Sequence, residues 1–159
     1  MKITVLCVGK IKESYLRDAI AEYAKRLSRY AELQITEVAD EKTPDGASAA
    51  EETKIRQIEG ERLMKAFKTD AYNVALAIDG KSLSSEEFSA KIDELCVSGV
   101  SHIRFVIGGS LGLSPEVLKA CDYRLSFSKM TFPHQLMRVI LLEQIYRAFR
   151  ISTGEPYHK

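Results

Sequence analysis

Two periods of hydrophobic residues alternate along this chain. Compact apolar runs at 3–8, 72–78 and 102–107 read as buried strands, and Leu33, Ile35 and Val38 mark a weaker strand over 32–38. Between the runs, apolar residues take up helical spacing. Leu16, Ala19, Ile20, Tyr23, Ala24 and Leu27 do so over 14–30, and Ile55, Ile58, Leu63, Met64 and Phe67 over 49–67. Residues 40–48 are polar, hold Pro44 and Gly46, and read as a loop. An Asp79-Gly80 turn closes the 72–78 strand. Ser84-Ser85-Glu86-Glu87 is a capping box for a third helix that carries Phe88, Ile92, Leu95 and Cys96 and stops at Gly99.

The last third of the chain organises the rest. Phe105-Val106-Ile107 runs into Gly108-Gly109-Ser110-Leu111-Gly112, where glycines allow sharp turns and close approach by a ligand. Ser114 caps a short helix with Pro115 in its first turn, a strand follows over 124–128, and a helix spans 133–153. Repeated strand–helix alternation predicts an α/β fold: a mainly parallel five-stranded sheet with helices on both faces, formed by residues 1–159 as a single domain. Ligands of such sheets sit where strand ends open into loops, which here means the loops after 107 and 128.

The final helix places Leu136, Met137, Val139, Ile140, Leu141, Leu142, Ile145, Tyr146, Phe149 and Ile151 on more than one face. A helix apolar nearly all round needs cover on several sides, and a homodimer packed through it supplies that cover. The alternative is a helix sunk deep in its own domain.

Composition narrows the class. The chain has 159 residues and a formal net charge of +1, so it lacks the strong basicity of a protein that grips naked nucleic acid through many phosphates. Clustered basic residues remain compatible with RNA. No apolar run reaches membrane-spanning length, and Cys7, Cys96 and Cys121 are unpaired in spacing, as expected of small buried residues in a reducing cytoplasm. His102, His134 and His158 have no ligand-spaced partners, so no metal is expected. Gly80-Lys81-Ser82 lacks the earlier glycine of a phosphate-binding loop, the first strand lacks a dinucleotide fingerprint, and no nucleophile elbow is present.

Three segments together carry a family resemblance: Val106-Ile107-Gly108-Gly109-Ser110-Leu111-Gly112, Ser126-Phe127-Ser128-Lys129-Met130-Thr131-Phe132-Pro133-His134, and the tail Gly154-Glu155-Pro156-Tyr157-His158-Lys159. The whole chain resembles the ribosomal RNA large subunit methyltransferase H family, of the trefoil-knotted SPOUT class. The resemblance implies a cytoplasmic homodimer with a C-terminal trefoil knot, although generic topology rules argue against knots. It implies methyl transfer from S-adenosyl-L-methionine to N3 of a pseudouridine in 23S rRNA within the ribosome. It also implies that Leu76, Gly108, Phe127, Ser128, Lys129, Met130, Thr131 and Phe132 surround the cofactor.

The tail and last helix hold the candidate catalytic residues His158, Tyr157 and Arg147. A histidine can accept a proton near neutral pH, a tyrosine can stack on a base, and Lys159 can meet phosphate. Arg138 and Arg150 are further candidates for phosphate. Glu143, four residues before Arg147, equally suggests a plain helical ion pair. In a dimer the tail can complete the partner's site. A flavodoxin-like nucleotide-binding module or a dimeric scaffold, neither with chemistry, stays open as the alternative and predicts no affinity for the cofactor.

Overall fold

Each strand of this chain hands over to a helix. In order they are β1 (Lys2–Val8), α1 (Ser14–Leu27), β2 (Glu32–Val38), α2 (Ala49–Lys65), β3 (Tyr72–Ser82), α3 (Ser85–Val97), β4 (His102–Ile107), α4 (Pro115–Ala120), β5 (Tyr123–Ser126) and α5 (His134–Ser152). The structure, a computed structural model, describes residues 1–68 and 70–159. The strands form one sheet in the order β2-β1-β4-β3-β5, every pair parallel, as the alternation predicts.

β1 and β4 lie inside the sheet, and side-chain alternation divides their residues between its faces. Ile3, Val5 and Cys7 point with Ile103, Phe105 and Ile107 towards α1, α3 and α5. Leu6 and Val8 join Val106 against Leu63 of α2 and Val117 of α4. Burial on both faces is why these strands read as unbroken apolar runs. At the N-terminal end of that second face, the buried His102 ring bonds Thr4 Oγ1 at 2.8 Å.

Two boundaries and one burial differ from the sequence reading. Asp79-Gly80 does not close β3; the strand continues to Ser82 through a bulge. Leu76 pairs with Leu125, and so does Lys81, leaving residues 77–80 looped out opposite one residue of β5. Gly80 makes the bulge possible, because a Cβ there would lie 2.8 Å from the Arg124 backbone. β5 ends at Ser126, two residues early, where Ser128 Oγ accepts from the Met130 N–H and turns the chain. Cys96, expected inside, is exposed on the outer side of α3; Cys7 alone of the three is buried.

α5 lies between α1 and α3 on the sheet, and this accounts for much of its apolar surface. Tyr23 and Tyr30 of α1 and its following turn meet Tyr146 and Phe149, while Ser89 of α3 donates to the Ala148 carbonyl at 2.7 Å. Leu141, Leu142 and Ile145 are fully buried within the chain's own core. The helix is therefore covered on three sides without a second copy. What remains outward in its first half is Leu136, exposed, with Val139 and Ile140 half-buried. Among the described residues, no helix is long and apolar enough to cross a membrane, and no group of three or more His, Cys, Asp or Glu is arranged to hold a metal ion.

Candidate active site

The C-terminal ends of β3, β4 and β5 open into one cleft of about 600 Å³. Leu76, Ala77 and Ile78 form one wall as β3 enters its bulge. The turn from Ile107 to Gly112 forms a second, and Leu125 to Ser128 with Met130 to Pro133 form a third; His134 and Met137 of α5 close it. The walls carry no charged carboxylate, lysine or arginine. Apolar side chains, a few hydroxyls and turn backbone suit a flat, neutral purine, so the lining fits the adenosine end of S-adenosyl-L-methionine.

The glycine turn is built on its own backbone. Gly112 takes φ +81° and its N–H donates to the Gly109 carbonyl at 3.0 Å. A Cβ on Gly108 would lie 2.6 Å from the Gly112 carbonyl carbon. Gly108 thus serves the cleft by letting the turn fold against itself, rather than by leaving space directly to a ligand. Beneath the turn lies Glu59 of α2, 4% exposed; a Cβ on Gly109 would sit 3.1 Å from its Oε1. Its Oε2 accepts from the Glu41 N–H at 3.0 Å, and burial raises its pKa above the usual carboxylate value.

Of the expected cofactor residues, Leu76, Gly108, Phe127, Ser128, Met130, Thr131 and Phe132 line the cleft. Lys129 does not: its side chain is exposed, off the wall, between two residues that face in. Sequence reasoning left out Ala77, Ile78, His134 and Met137 as wall residues. The bulge that brings in the first two breaks strand periodicity, and Met137 reads as one more apolar helix residue. Glu59 lies fifty residues earlier in the chain, on a helix, with no local signal to mark it.

His134 is half-buried; burial, then the neighbouring Arg138 cation, lowers its pKa, with Asp40 opposing. Burial, then Arg104 and Lys2, does the same to His102. Each ring binds a proton less readily in the folded chain than in the unfolded one. Below the ordinary histidine value of 6.5 the unfolded state therefore takes up more protons, and stability falls with pH. We expect the melting temperature to hold between about pH 7 and 8 and to drop by about 2–4 °C from pH 7 to pH 5.5. His102→Asn should reduce that slope; an unchanged slope in scanning calorimetry would assign it to His134 or to the carboxylates.

The candidate catalytic residues form a second cluster, away from the cleft. Arg147 Nη2 donates to Glu143 Oε1 at 2.7 Å, so the helical ion pair is present. The Tyr157 hydroxyl donates to the same oxygen at 2.9 Å, and its ring packs edge-on to Tyr146 at 4.9 Å and beneath the Arg147 guanidinium. Burial, then the bond to Glu143, pushes the Tyr157 phenol up to about 12. It is a neutral donor, not a base. Arg147 Nη1 lies 3.2 Å from His158 Nδ1, and His158 Nε2 lies 2.6 Å from Glu86 Oε1. A guanidinium can only donate, so Nδ1 is the acceptor and Nε2 carries the proton given to Glu86.

Along α5, Arg147 is ten residues from Met137 on the cleft wall, about 15 Å at helical rise. Within one chain the structure therefore brings the cofactor residues together and leaves the tail apart from them. The other two candidate arginines are occupied. Arg138 is 1% exposed, bonding Glu37 Oε2 at 2.6 Å and the Gly9 carbonyl at 2.7 Å. Arg150 holds Glu155 and the Pro156 carbonyl, and so pins the tail. Neither is free for phosphate as expected from the sequence.

Comparison with known proteins bears on this arrangement. A family model described as "Predicted SPOUT methyltransferase" matches residues 1–158. The chain belongs to the SPOUT methyltransferase family. Ribosomal RNA large subunit methyltransferase H of Bifidobacterium adolescentis is 65% identical over 159 residues, covering all of both chains. The protein of the same name from Clostridium acetobutylicum is 61% identical with the same full coverage. Solved SPOUT-like folds lie further off. The tRNA (m1G37) methyltransferase of Aquifex aeolicus superposes with a TM-score of 0.54 at 11% identity, over 92% of this chain and 70% of that one. A protein from Haemophilus influenzae described as a "probable methylase family protein" gives 0.56 at 14%, over 99% and 70%. These distant structures share the fold.

Proposed function

We propose that this SPOUT methyltransferase transfers a methyl group from S-adenosyl-L-methionine to N3 of a pseudouridine in 23S rRNA of the assembled ribosome, as a cytoplasmic homodimer. The observation that carries the reading is the convergence of three strand ends on one neutral cleft, in a chain matched end to end by relatives named for rRNA methylation. The knotted C-terminal region belongs to the same reading.

When bound, the cofactor supplies an electrophilic methyl on a sulfonium. The chain's part is to hold donor and acceptor in line, which can lower such a barrier by roughly 7–11 kcal/mol, and to receive the proton that N3 must lose. Phe127, Met130 and Phe132 exclude water from the cleft. His158 Nδ1 is the proton acceptor once Arg147 turns from it to the RNA, and Glu86 holds the opposite ring nitrogen throughout. Tyr157, as a neutral phenol, orients the base by stacking. Because the tail lies away from its own cleft, a second copy must present it. The exposed Ile78 and Met130 of the cleft, with the exposed Leu136 on α5, offer that copy an apolar seat.

Calorimetric titration with S-adenosylhomocysteine should show saturable binding, and tritiated cofactor should label 23S rRNA in ribosomes that lack the modification. Absence of binding would return the chain to a module or scaffold without this chemistry.

A further inference from the structure

Glu59 and Gly60, consecutive on α2, meet the glycine turn at Gly109 and the chain just beyond it at Ser114. A Cβ on Gly60 would lie 2.5 Å from Ser114 Oγ, which caps α4. A Cβ on Gly109 would lie 3.1 and 3.2 Å from the two carboxyl oxygens of Glu59. Gly109 also lines the cleft, so only turn backbone separates that carboxyl from whatever fills the site. Oε2 accepts from the Glu41 N–H, but Oε1 is buried with no hydrogen-bond partner among the described residues. A buried polar atom left in that state calls for a physical reason.

The surroundings oppose ionisation of this group. Burial first, then Asp40 and more weakly Glu41 from the loop after β2, raise its proton affinity; the Glu41 N–H and Arg62 of α2 lower it. Arg62 is engaged elsewhere, by the Glu41 carboxylate and the Ala39 carbonyl. Val8 of β1 adds only an apolar contact, and the turn from Gly108 to Gly112 has no titratable side chain. A cofactor against the cleft face of Gly109 displaces the water on that side and buries the carboxyl further. A charge with one unpartnered oxygen behind a dry wall is costly, and taking up a proton removes it. S-adenosylhomocysteine has no net charge near neutral pH, so no ionic attraction offsets this effect.

Resting on the cofactor reading above, we infer that Glu59 is a positioning residue of the cofactor site: it backs the glycine turn, and cofactor binding draws a proton onto its carboxyl. Affinity is therefore greatest at low pH, where the carboxyl already holds that proton. It is lost as pH rises through the group's range in the free protein.

Calorimetric titration of the full-length protein with S-adenosylhomocysteine, in buffers of different ionisation enthalpy near neutral pH, reads the proton directly. The wild type should take up a fraction of a proton per site. The sign is diagnostic: His134, the titratable side chain on the cleft wall, would release protons when sealed from water. Glu59→Gln keeps the shape without the charge and should show no uptake. From about pH 5 to about pH 8, wild-type affinity should fall about tenfold relative to that of Glu59→Gln, the effect of a one-unit rise in the carboxyl's pKa on binding. Proton release or no exchange by the wild type would overturn the inference, and so would a ratio of the two affinities that stays constant with pH; either leaves Glu59 a packing residue. No binding by the wild type at any pH would overturn the cofactor reading beneath it.

Discussion

Removal of Tyr157 to Lys159 should leave affinity for S-adenosylhomocysteine unchanged and lower methyl transfer to ribosomes at least about a hundredfold, the loss expected when a proton acceptor and its orienting groups go together. Cofactor affinity survives because the cleft and the tail share no residue and lie about 15 Å apart along α5. Folding should survive as well, since Glu155 and the Pro156 carbonyl still hold Arg150. The decisive version mixes two defective chains. One lacks the tail; the other carries Ala77→Trp, which fills the cleft. If the tail serves a partner's cleft, each mixed dimer contains one intact composite site. Equal mixing should then restore roughly a quarter of wild-type activity, by the statistics of two-fold symmetric pairing. Mixtures as inactive as their components would place the tail's action within its own chain.

Gly108→Val should abolish cofactor binding and also lower the thermal unfolding midpoint. The sequence alone suggests a simple block, with the added side chain standing in the ligand's space and the fold untouched. The structure gives a different cause. The side chain would run into the Gly112 backbone at 2.6 Å, and backbone cannot rotate aside as the end of a side chain can. The turn must open, and with it the second wall of the cleft. Even Gly108→Ala should weaken binding by more than tenfold, because the contact begins at Cβ. Calorimetric titration and a thermal melt on each variant check this. An alanine variant with wild-type affinity and midpoint would show that the turn relaxes at little cost.

The readability of this chain followed the physics of each part. β1 and β4 were legible because both their faces are buried, which leaves a continuous apolar signature. α3 and α4 announced their starts through Ser84 and Ser114, whose hydroxyls accept from the third following backbone N–H; Ser48 caps α2 in the same way but reads in the sequence only as the end of a loop. The end of β3 was not legible, because Asp79-Gly80 has the composition of a turn and only its contact with β5 makes it a bulge. The surroundings of α5 were half legible: its apolar residues called for cover, but a sequence cannot say that α1 and α3 flank it. In the site, Leu76, Gly108 and five residues between 127 and 132 came from family resemblance, and geometry then gathered them in one cleft. Lys129 shared their segment and not their direction. The tail residues His158, Tyr157 and Arg147 do form one cluster, although its place at some distance from the cleft depends on the run of α5 and has no local trace.

The looped-out stretch of β3 has a consequence for how this scaffold can vary. Pairing with β5 is correct before it, at Leu76, and again after it, at Lys81, so the residues between bear no ladder bonds that fix their number. Losing or gaining one there would change how far Ala77 and Ile78 reach into the cleft, while strand register on either side stayed in phase. One wall of the site can therefore be retailored in length by descent, as a surface loop can, inside an element that is otherwise as constrained as any buried strand.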